Sequence, residues 1–433
     1  MKRHAAAVSS TAFFVTVLCL LIAPDRAEAA GENVSGRWIT LMNGGSPSVM
    51  PINPVHAALL NNGQVVIVGG SENDPTNKRK VATVWNPATD PQASHLTVRN
   101  LAWDLFCNAM SHLPDGRVAI VGGTGQYDPF HGINNTIIYD PAADTFTQGP
   151  SMADARWYPT STALGDGRTH TIGGYTDSGA VSRRTEILDA LGMSWTLPKT
   201  LPFTPNINYP RGHLMPNGRI FYSAPDRVTR SVVPTTGQST TVASHVYAGS
   251  RKFGSAVLLP LAAPYNAASV LVMGGGSTAT KSVERITLNA ASNFSAGTWR
   301  NVPFMANARI EMNATLLPTG EVLATGGSAR DNVATTAARA AEVYNPVTNR
   351  WRTLAVARYP RLYHSVALLM PDATVWTAGS NPARRTYDTH MEIFQPSYLF
   401  TTNTAGQVVP APRPPGPPSV LLPPTSLMVP FST

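Results

Sequence analysis

Residues 114–123, with the sequence PDGRVAIVGG, carry the pattern from which the fold is predicted. The Pro-Asp-Gly at the start predicts a tight turn, because glycine after aspartate readily adopts the positive φ that a two-residue hairpin turn requires. The β-branched run 118–121 predicts a strand that pairs back across this turn. Gly122 and Gly123 end the strand, and a residue without a Cβ lets another backbone segment approach closely. The stretch therefore predicts an antiparallel hairpin that ends where the chain is crowded.

The same turn, strand and glycine pair recur throughout the chain. Counted at the second residue of each pair, the spacings are 53, 51, 101, 52 and 52 residues. The spacing of 101 is two periods with one marker lost, and residues 218–224 (GRIFYSA) fill the gap. The markers are Gly69-Gly70, Gly122-Gly123, Gly173-Gly174, Gly274-Gly275, Gly326-Gly327 and Ala378-Gly379. Seven units with a period near 50 residues predict an all-β fold, a seven-bladed kelch-type β-propeller.

The last unit of the repeat lacks its final strand, and the start of the chain has a strand without a unit. Four units close with an aromatic residue, whereas the seventh has a third strand at residues 392–396 and no aromatic after it. An unpaired strand pattern, GRWITL, lies at residues 36–41. We therefore expect the strand around Trp38 to complete the last blade and lock the ring, which leaves few exposed edges. The propeller is predicted over residues 30–400, and residues 401–433 form a proline-rich tail.

Composition and charge narrow the functional classes. The chain has 433 residues, of which 37 are proline and 34 are glycine, and 13% are charged, which favours short strands and turns over helices. The formal charge is +8, but the longest basic run is KRK at residues 78–80. We therefore expect scattered solvated charge and no nucleic-acid partner, and attraction to an acidic polysaccharide surface is the alternative interpretation. No nucleotide loop, nucleophile elbow or paired-cysteine zinc spacing is present.

Residues 1–29 have the pattern of a secretory signal peptide. A basic start is followed by a largely apolar segment at residues 5–23, and residues 27–29 (AEA) provide small side chains for cleavage before Ala30. The strongly apolar part is short for a membrane span. We therefore expect a secreted protein with no membrane segment in its mature form.

The phase of the repeat predicts a site. Cys107, Tyr158 and Tyr363 each lie 16 residues before the second residue of their marker, and His364 follows Tyr363. Residues in one phase of a circular repeat occupy equivalent places around one axis, so these side chains can meet at one end of it. Phenolate oxygen and imidazole nitrogen suit a tetragonal Cu(II) ion. The alternative for each tyrosine and histidine is ordinary packing or solvent exposure at a blade mouth.

Cys107 is the only cysteine after residue 29, so a mature chain has no internal disulfide. The thiol is a buried bystander, a partner for another chain, or committed to other chemistry. Glu311 shares the phase of Cys107, and Met312 shares the phase of His364, so both are candidates for a substrate pocket. Paired carboxylates for sugar hydrolysis are an open alternative at a propeller mouth, with Glu311 as the candidate.

Three segments resemble the copper radical oxidases, the family that includes galactose oxidase and glyoxal oxidase. They are residues 106–107 (FC), 156–159 (RWYP) and 363–372 (YHSVALLMPD), and residues 392–400 are similar to the family's propeller exit. The resemblance covers about residues 36 to 420. It implies that Cys107 is thioether-linked to Tyr158, whose ring holds a radical and binds copper. It also implies that Tyr363 is an axial ligand and base, and that His364 is an equatorial ligand.

The resemblance implies oxidation of small aldehydes or primary alcohols by O₂ with release of H₂O₂. Galactose-oxidising members have a tryptophan shortly after the glycine pair of the Tyr158 blade, where this chain has Tyr175. Together with residues 208–210 (NYP), this is more similar to the glyoxal oxidase branch. We expect Tyr175 to shield the radical in part and to line the substrate pocket. The rival hypothesis is a non-catalytic kelch propeller that binds carbohydrate or a protein partner.

The family's remaining equatorial histidine comes from a C-terminal β-sandwich domain. In this sequence no histidine follows His390, and the chain stops at Thr433. The sequence therefore predicts that residues 401–433 are a proline-rich linker and the start of a truncated domain. On this interpretation copper binds more weakly than in a full-length relative, and turnover is impaired.

Overall fold

Each hairpin predicted from the repeat forms the first two strands of a four-stranded antiparallel sheet. The structure is a computed structural model and describes residues 31–71, 79–126, 129–383 and 386–412. Seven such sheets follow one another along the chain. Their first strands lie side by side around a central axis, and the first strand of the last sheet contacts that of the first. The predicted all-β, seven-bladed propeller is confirmed.

We number the blades 1 to 7 in chain order, and in each blade the first strand is nearest the axis. Blade 1 contains the strands His56–Leu59, Val65–Val68, Val81–Trp85 and Arg99–Asn100. Blade 2 contains Ala109–His112, Val118–Val121, Thr136–Asp140 and Thr145–Gln148. Blade 3 contains Thr160–Ala163, Thr169–Ile172, Arg184–Leu188 and Lys199–Thr200. Blade 4 contains Gly212–Leu214, Ile220–Tyr222, Val228–Val232 and Ser239–Ser244. Blade 5 contains Ser255–Leu258, Ala267–Met273, Val283–Asn289 and Arg300–Val302. Blade 6 contains Ile310–Leu316, Val322–Ser328, Ala340–Asn345 and Arg350–Val356. Blade 7 contains Val366–Leu369, Val375–Ala378, Met391–Gln395 and, from the start of the chain, Arg37–Thr40.

The ring is closed by the N-terminal strand, as the sequence predicts. Arg37–Thr40 pairs antiparallel with Met391–Gln395, and Trp38 lies opposite Phe394 with their ring centroids 5.0 Å apart. The Trp38 indole N–H donates a hydrogen bond of 2.9 Å to the carbonyl of Ala355 in blade 6. The strand therefore links the last blade to its neighbour as well as completing it.

Little regular structure lies outside the blades. The only α-helix in the described residues is Glu32–Ser35, and none of the helices in that part of the chain is long and apolar enough to cross a membrane. Short 3₁₀ helices and two-stranded ribbons make up the rest: Ala290–Ser292, Ala334–Thr336 and Ser397–Leu399; Met42–Asn43 with Ser46–Pro47, Thr124–Gln126 with His131–Gly132, and Phe400–Thr402 with Val408–Pro410.

The tail begins with a hairpin in which Phe400–Thr402 pairs with Val408–Pro410. The assignment of residues 401–433 to a proline-rich linker and the start of a further domain stays a prediction. The cause is local: Asn403 closes a turn with Gln407, Gly406 adopts a φ of 77°, and the prolines accumulate only after this turn. The predicted signal peptide, and the tail from residue 413 onward, lie outside the described residues.

Hydrophobic side chains fill the spaces between neighbouring blades. Val322 and Tyr344 of blade 6 pack with Leu271 and Met273 of blade 5, and all four are buried. Three marker glycines, Gly70, Gly122 and Gly274, lie against the residues that lead into the next blade, which we call its mouth segment. A Cβ on Gly122, whose φ is 75°, would lie 2.3 Å from the carbonyl oxygen of Arg156 in the next mouth segment. A glycine is therefore required there both by backbone conformation and by space.

Four buried arginine–glutamate pairs, which the sequence analysis did not find, attach the mouth segments to their own blades. In each, the arginine lies on the segment that leads into the blade, as Arg156 lies two residues before Tyr158, and it pairs with a glutamate of the third strand of that blade. The same guanidinium also donates to the carbonyl of a marker glycine. The pairs and their shortest N–O distances are Arg156–Glu186 at 2.9 Å, Arg251–Glu284 at 2.5 Å, Arg309–Glu342 at 2.8 Å and Arg361–Glu392 at 2.9 Å. The accepting glycines are Gly173, Gly274, Gly326 and Gly379.

Candidate metal centre at the blade mouths

The chain enters six of the seven blades through a residue with left-handed backbone conformation. These residues have φ between 51° and 66° although none is glycine. Such a conformation costs an L-residue about 1–2 kcal/mol, and it persists where the surrounding structure imposes it, often at functional sites. The residues are Cys107, Tyr158, Tyr209, Phe253, Glu311 and His364.

All of these residues except Cys107 line one cavity of about 180 Å³ at the mouth of the propeller, which we call the mouth cavity. Tyr363 lines it as well, so the structure brings together Tyr158, Tyr363 and His364 as the repeat phase predicts. Glu311 and Met312 also border the mouth cavity, whereas Tyr175 is not among its lining residues. Met312 is only 6% exposed and packs in the core between blades 5 and 6.

The two phenols meet across the cavity. The hydroxyl of Tyr158, from the mouth of blade 3, is hydrogen-bonded to the hydroxyl of Tyr363, from the mouth of blade 7. Burial, together with the nearby groups of Cys107 and Tyr363, raises the pKa of Tyr158 well above its ordinary value. A bound cation reverses this effect, because it stabilises the phenolate that burial alone disfavours.

His364 presents one nitrogen to the cavity and has the other anchored. Its Nδ1 lies 2.7 Å from the Oδ1 of Asn381, and that oxygen also accepts a hydrogen bond of 3.3 Å from Asn53. The amide nitrogen of Asn381 donates to the carbonyl of Thr386, which identifies the oxygen of Asn381 as the atom facing His364. Nδ1 therefore carries the proton, and the lone pair of Nε2 is free for a metal.

Two further observations on His364 agree with a ligand role. Nε2 is buried and has no hydrogen-bond partner among the described residues. Burial lowers the pKa of His364 to about 3, so the ring is neutral, which is the form that binds metals. A buried imidazole nitrogen without a hydrogen-bond partner is unusual, and it is suited to binding a metal ion.

Cys107 lies against Tyr158 in a fully buried position. Its carbonyl accepts a hydrogen bond of 3.0 Å from the Tyr158 amide. Burial raises the pKa of Cys107 well above its ordinary value, so the thiol is not a free thiolate. The residue packs in a cluster with Phe106, Trp157 and Tyr158.

The aromatic cover of Tyr158 is Trp157 rather than Tyr175. The Trp157 ring lies 4.0 Å from that of Tyr158 and stacks at 3.9 Å on Phe130. Tyr175 stacks on Trp157 at 5.8 Å and so reaches Tyr158 only through it. The sequence signal for this was available, because Trp157 directly precedes Tyr158, but no pattern in the repeat marks Phe130.

Glu311 is a protonated acid in this setting. Its Oε2 accepts a hydrogen bond of 3.3 Å from the Asn332 amide, and its Oε1 is buried without a partner among the described residues. Burial, together with neighbouring Asp331, raises the pKa of Glu311 to about 9. At neutral pH the carboxyl group therefore keeps its proton and can donate a hydrogen bond into the mouth cavity.

Tyr209 and His56 also line the cavity, and the sequence analysis did not single them out as site residues. The Tyr209 ring packs edge-on against Tyr158 with centroids 4.5 Å apart, and its hydroxyl lies 3.3 Å from Nε2 of His56. Tyr209 has the phase of Cys107 and Tyr158, but the marker of its blade is lost, which hid the correspondence.

The chemical types of the donor atoms at this site suit a cupric ion. The described residues contain no group of three or more His, Cys, Asp and Glu side chains placed to hold a metal. The cavity instead offers two phenol oxygens and one free imidazole nitrogen, a set that suits tetragonal Cu(II) better than zinc or calcium.

The comparisons with known proteins agree with this site. Residues 130–398 match the family model described as the glyoxal oxidase N-terminus. The chain is 26% identical over 400 residues to a galactose oxidase of Gibberella zeae, covering 85% of this chain and 56% of that protein. It is 26% identical over 431 residues to the aldehyde oxidase GLOX of Vitis pseudoreticulata, covering 87% of this chain and 78% of that protein. The chain thus spans little more than half the length of the galactose oxidase.

A solved structure shows the same fold. It is described as a fungal alcohol oxidase with catalytic diversity among the AA5 family, in complex with copper. The TM-score is 0.70 at 22% identity, and the match covers 87% of this chain and 79% of that one. The family match extends over more than half of the chain, and so the protein belongs to the glyoxal oxidase N-terminus family of copper radical oxidases.

Proposed function

We propose that the protein binds one copper ion through Tyr158, Tyr363 and His364 and oxidises small aldehydes or primary alcohols with O₂. The observation that carries this proposal is the free, buried Nε2 of His364 beside the paired hydroxyls of Tyr158 and Tyr363. The overall reaction converts an alcohol to an aldehyde, or a hydrated aldehyde to an acid, while O₂ takes up two electrons and two protons to give H₂O₂. Copper supplies one of the two electron acceptors when it is bound.

The protein residues divide the remaining tasks. Tyr158, with Cys107 joined to its ring as a thioether, accepts the other electron, and Trp157 covers that ring from solvent. Tyr363 accepts the proton of the substrate hydroxyl, for which its contact with Tyr158 at the cavity positions it. Glu311 donates a hydrogen bond to a substrate oxygen from its protonated carboxyl group.

The size of the cavity supports a small substrate. Its volume of about 180 Å³ is below the roughly 300–1,000 Å³ of pockets that hold drug-sized ligands. We therefore propose that aldehydes of two or three carbons are oxidised faster than hexoses. Peroxide formation measured over a panel of such aldehydes, glycerol and galactose tests this order, and a preference for galactose would contradict it.

His364→Ala is expected to weaken Cu(II) binding by more than about 100-fold, because even outer-shell partners of a metal site are worth 10–100-fold. Isothermal titration with Cu(II) measures the change, and peroxide formation from the aldehyde should be lost with it. His95→Ala is the matched control, because the His95 side chain is 87% exposed and lies outside the mouth cavity. A folded wild-type chain that binds no copper would refute the proposed function and favour a non-catalytic propeller.

We also propose that the protein is secreted. The motivating pattern is the basic, apolar and Ala-x-Ala order of residues 1–29. N-terminal sequencing of the secreted material should begin at or near Ala30. Recovery of soluble protein inside the cell with Met1 still in place would contradict secretion.

A further inference from the structure

A second, wider cavity of about 600 Å³ runs between the first strands below the mouth, and we call it the channel. A few residues line both the channel and the mouth cavity and so form the boundary between them. They are Val55, His56, Tyr209, Arg211, Asn313 and Ser365.

At this boundary, the side chain of His56 contacts a residue from a distant blade. His56 begins the first strand of blade 1, whereas Tyr209 precedes the first strand of blade 4, on the far side of a seven-membered ring. The 3.3 Å between His56 Nε2 and the Tyr209 hydroxyl is therefore a contact between opposite walls. His56 also lines the mouth cavity together with Tyr158, Tyr363 and His364, the residues that would hold copper.

The two imidazoles of the mouth cavity are anchored in the same manner. Each has one nitrogen held by a polar side chain: Asn381 holds Nδ1 of His364, and Tyr209 holds Nε2 of His56. For His56, no hydrogen bond to Nδ1 occurs among the described residues. An imidazole with one nitrogen anchored and the other free is the usual state of a metal-binding histidine.

We infer that His56 is a further ligand of the copper site, binding through Nδ1 while Nε2–H donates to the Tyr209 hydroxyl. This inference rests on the proposed function, because it presupposes copper at Tyr158, Tyr363 and His364. Tyr158, Tyr363 and His364 offer two oxygens and one nitrogen, and Cu(II) favours a tetragonal set of nitrogen and oxygen donors. Apart from His364, His56 is the only histidine among the described residues that line the mouth cavity.

The number of imidazoles bound to the copper tests the inference without relying on turnover. Pulsed EPR of the Cu(II)-loaded 433-residue chain, repeated with ¹⁵N-histidine, counts them directly. We expect two in the wild type and one in His56→Gln, with Cu(II) affinity lowered about 10–100-fold. Tyr209→Phe should keep both imidazoles but weaken binding by about 10-fold through loss of the anchor.

His213→Gln is the matched control, because His213 lines the channel but not the mouth cavity and bonds to Ser223. This variant should still have two imidazoles bound to the copper. A single imidazole in the wild type, lost only in His364→Ala, would overturn the role of His56 and leave the proposed function standing. A wild-type chain without bound copper would instead overturn the proposed function itself. The wild-type count stays decisive if His56→Gln does not fold.

Discussion

Loading the purified protein with copper in the presence of O₂ is expected to remove the reactivity of Cys107 toward alkylating reagents added after unfolding. In the reaction we propose, a bond forms between its sulfur and a ring carbon of Tyr158, the S–H and ring C–H hydrogens are lost, and O₂ is reduced to H₂O₂ by the two electrons and two protons. The protein should become lighter by two hydrogen atoms. The structure favours this reaction because the thiol is fully buried against Tyr158 and is the only cysteine in the described residues.

Cys107→Ser should separate copper binding from radical chemistry. The three proposed ligands are unchanged, so Cu(II) affinity should stay within a few-fold of the wild-type value. The optical absorption of the oxidised protein should be lost, and peroxide formation should fall to the background rate, because an unsubstituted tyrosine is harder to oxidise. Ser111→Ala is the control in the same blade, since Ser111 bonds to Thr169 and not to the site. An alkylatable Cys107 after copper loading would refute the crosslink.

Glu284→Gln is expected to destabilise the propeller by about 3–5 kcal/mol, because it leaves the buried charge of Arg251 without its counter-ion. Both side chains are fully buried, and their closest atoms are 2.5 Å apart. For a fold of this size, the melting temperature should fall by roughly 5 °C. Thermal and denaturant unfolding of the copper-free protein measures the change.

Two variants test the cause of this destabilisation. Adding Arg251→Met to Glu284→Gln should recover part of the loss, because no unpaired charge remains. The recovery is incomplete because the amides of Val246 and Tyr247 bond to different oxygens of Glu284, and the one glutamine oxygen can accept from only one of them. Asp166→Asn breaks an exposed pair with Arg168 and should change stability by less than about 1 kcal/mol. Equal effects of Glu284→Gln and Asp166→Asn would contradict the importance of the buried pair.

Glu284 should also account for part of the loss of folding stability at low pH. Burial by itself raises the pKa of Glu284, but hydrogen bonds from His245 and the Tyr247 amide, together with the charges of His245 and Arg251, lower it to about 2. The unfolded chain takes up this proton near pH 4.3, so the stabilisation is present above that pH. It is lost between about pH 4.3 and 2, at about 1.4 kcal/mol per pH unit. Glu284→Gln should therefore show a shallower loss of stability over this range.

The number of blades and the closure of the ring follow from the sequence because their causes are local or periodic. A turn such as 114–116 needs glycine at a fixed place, and Gly122 is required by the backbone of the neighbouring mouth segment. Each unit must supply the same features at the same spacing, so the repeat can be counted. An unpaired Trp38 strand at one end and a missing fourth strand at the other then leave one way to close the ring.

The repeat phase also predicts which residues lie at the mouth. The units of Tyr158 and Tyr363 both have 16 residues between this position and the second residue of the marker, so the two side chains reach one level along the axis although 205 residues separate them. The prediction failed to identify Tyr209 as a site residue because its blade lacks the glycine pair. It expected Tyr175 to shield Tyr158 in part, whereas in the structure Trp157 packs next to Tyr158 and Tyr175 stacks on Trp157.

The sequence by itself determined the architecture, the level of each mouth residue and the likeness to the copper radical oxidases. Only the tertiary structure decided which side chains touch. The free nitrogen of His364 depends on the orientation of Asn381, and the reach of His56 depends on Tyr209 from the opposite wall. Phase specifies height along an axis, because it is a distance along the chain. Which atoms meet across that axis depends on side-chain lengths, rotamers and partners from separate blades, and a one-dimensional spacing carries no information on these.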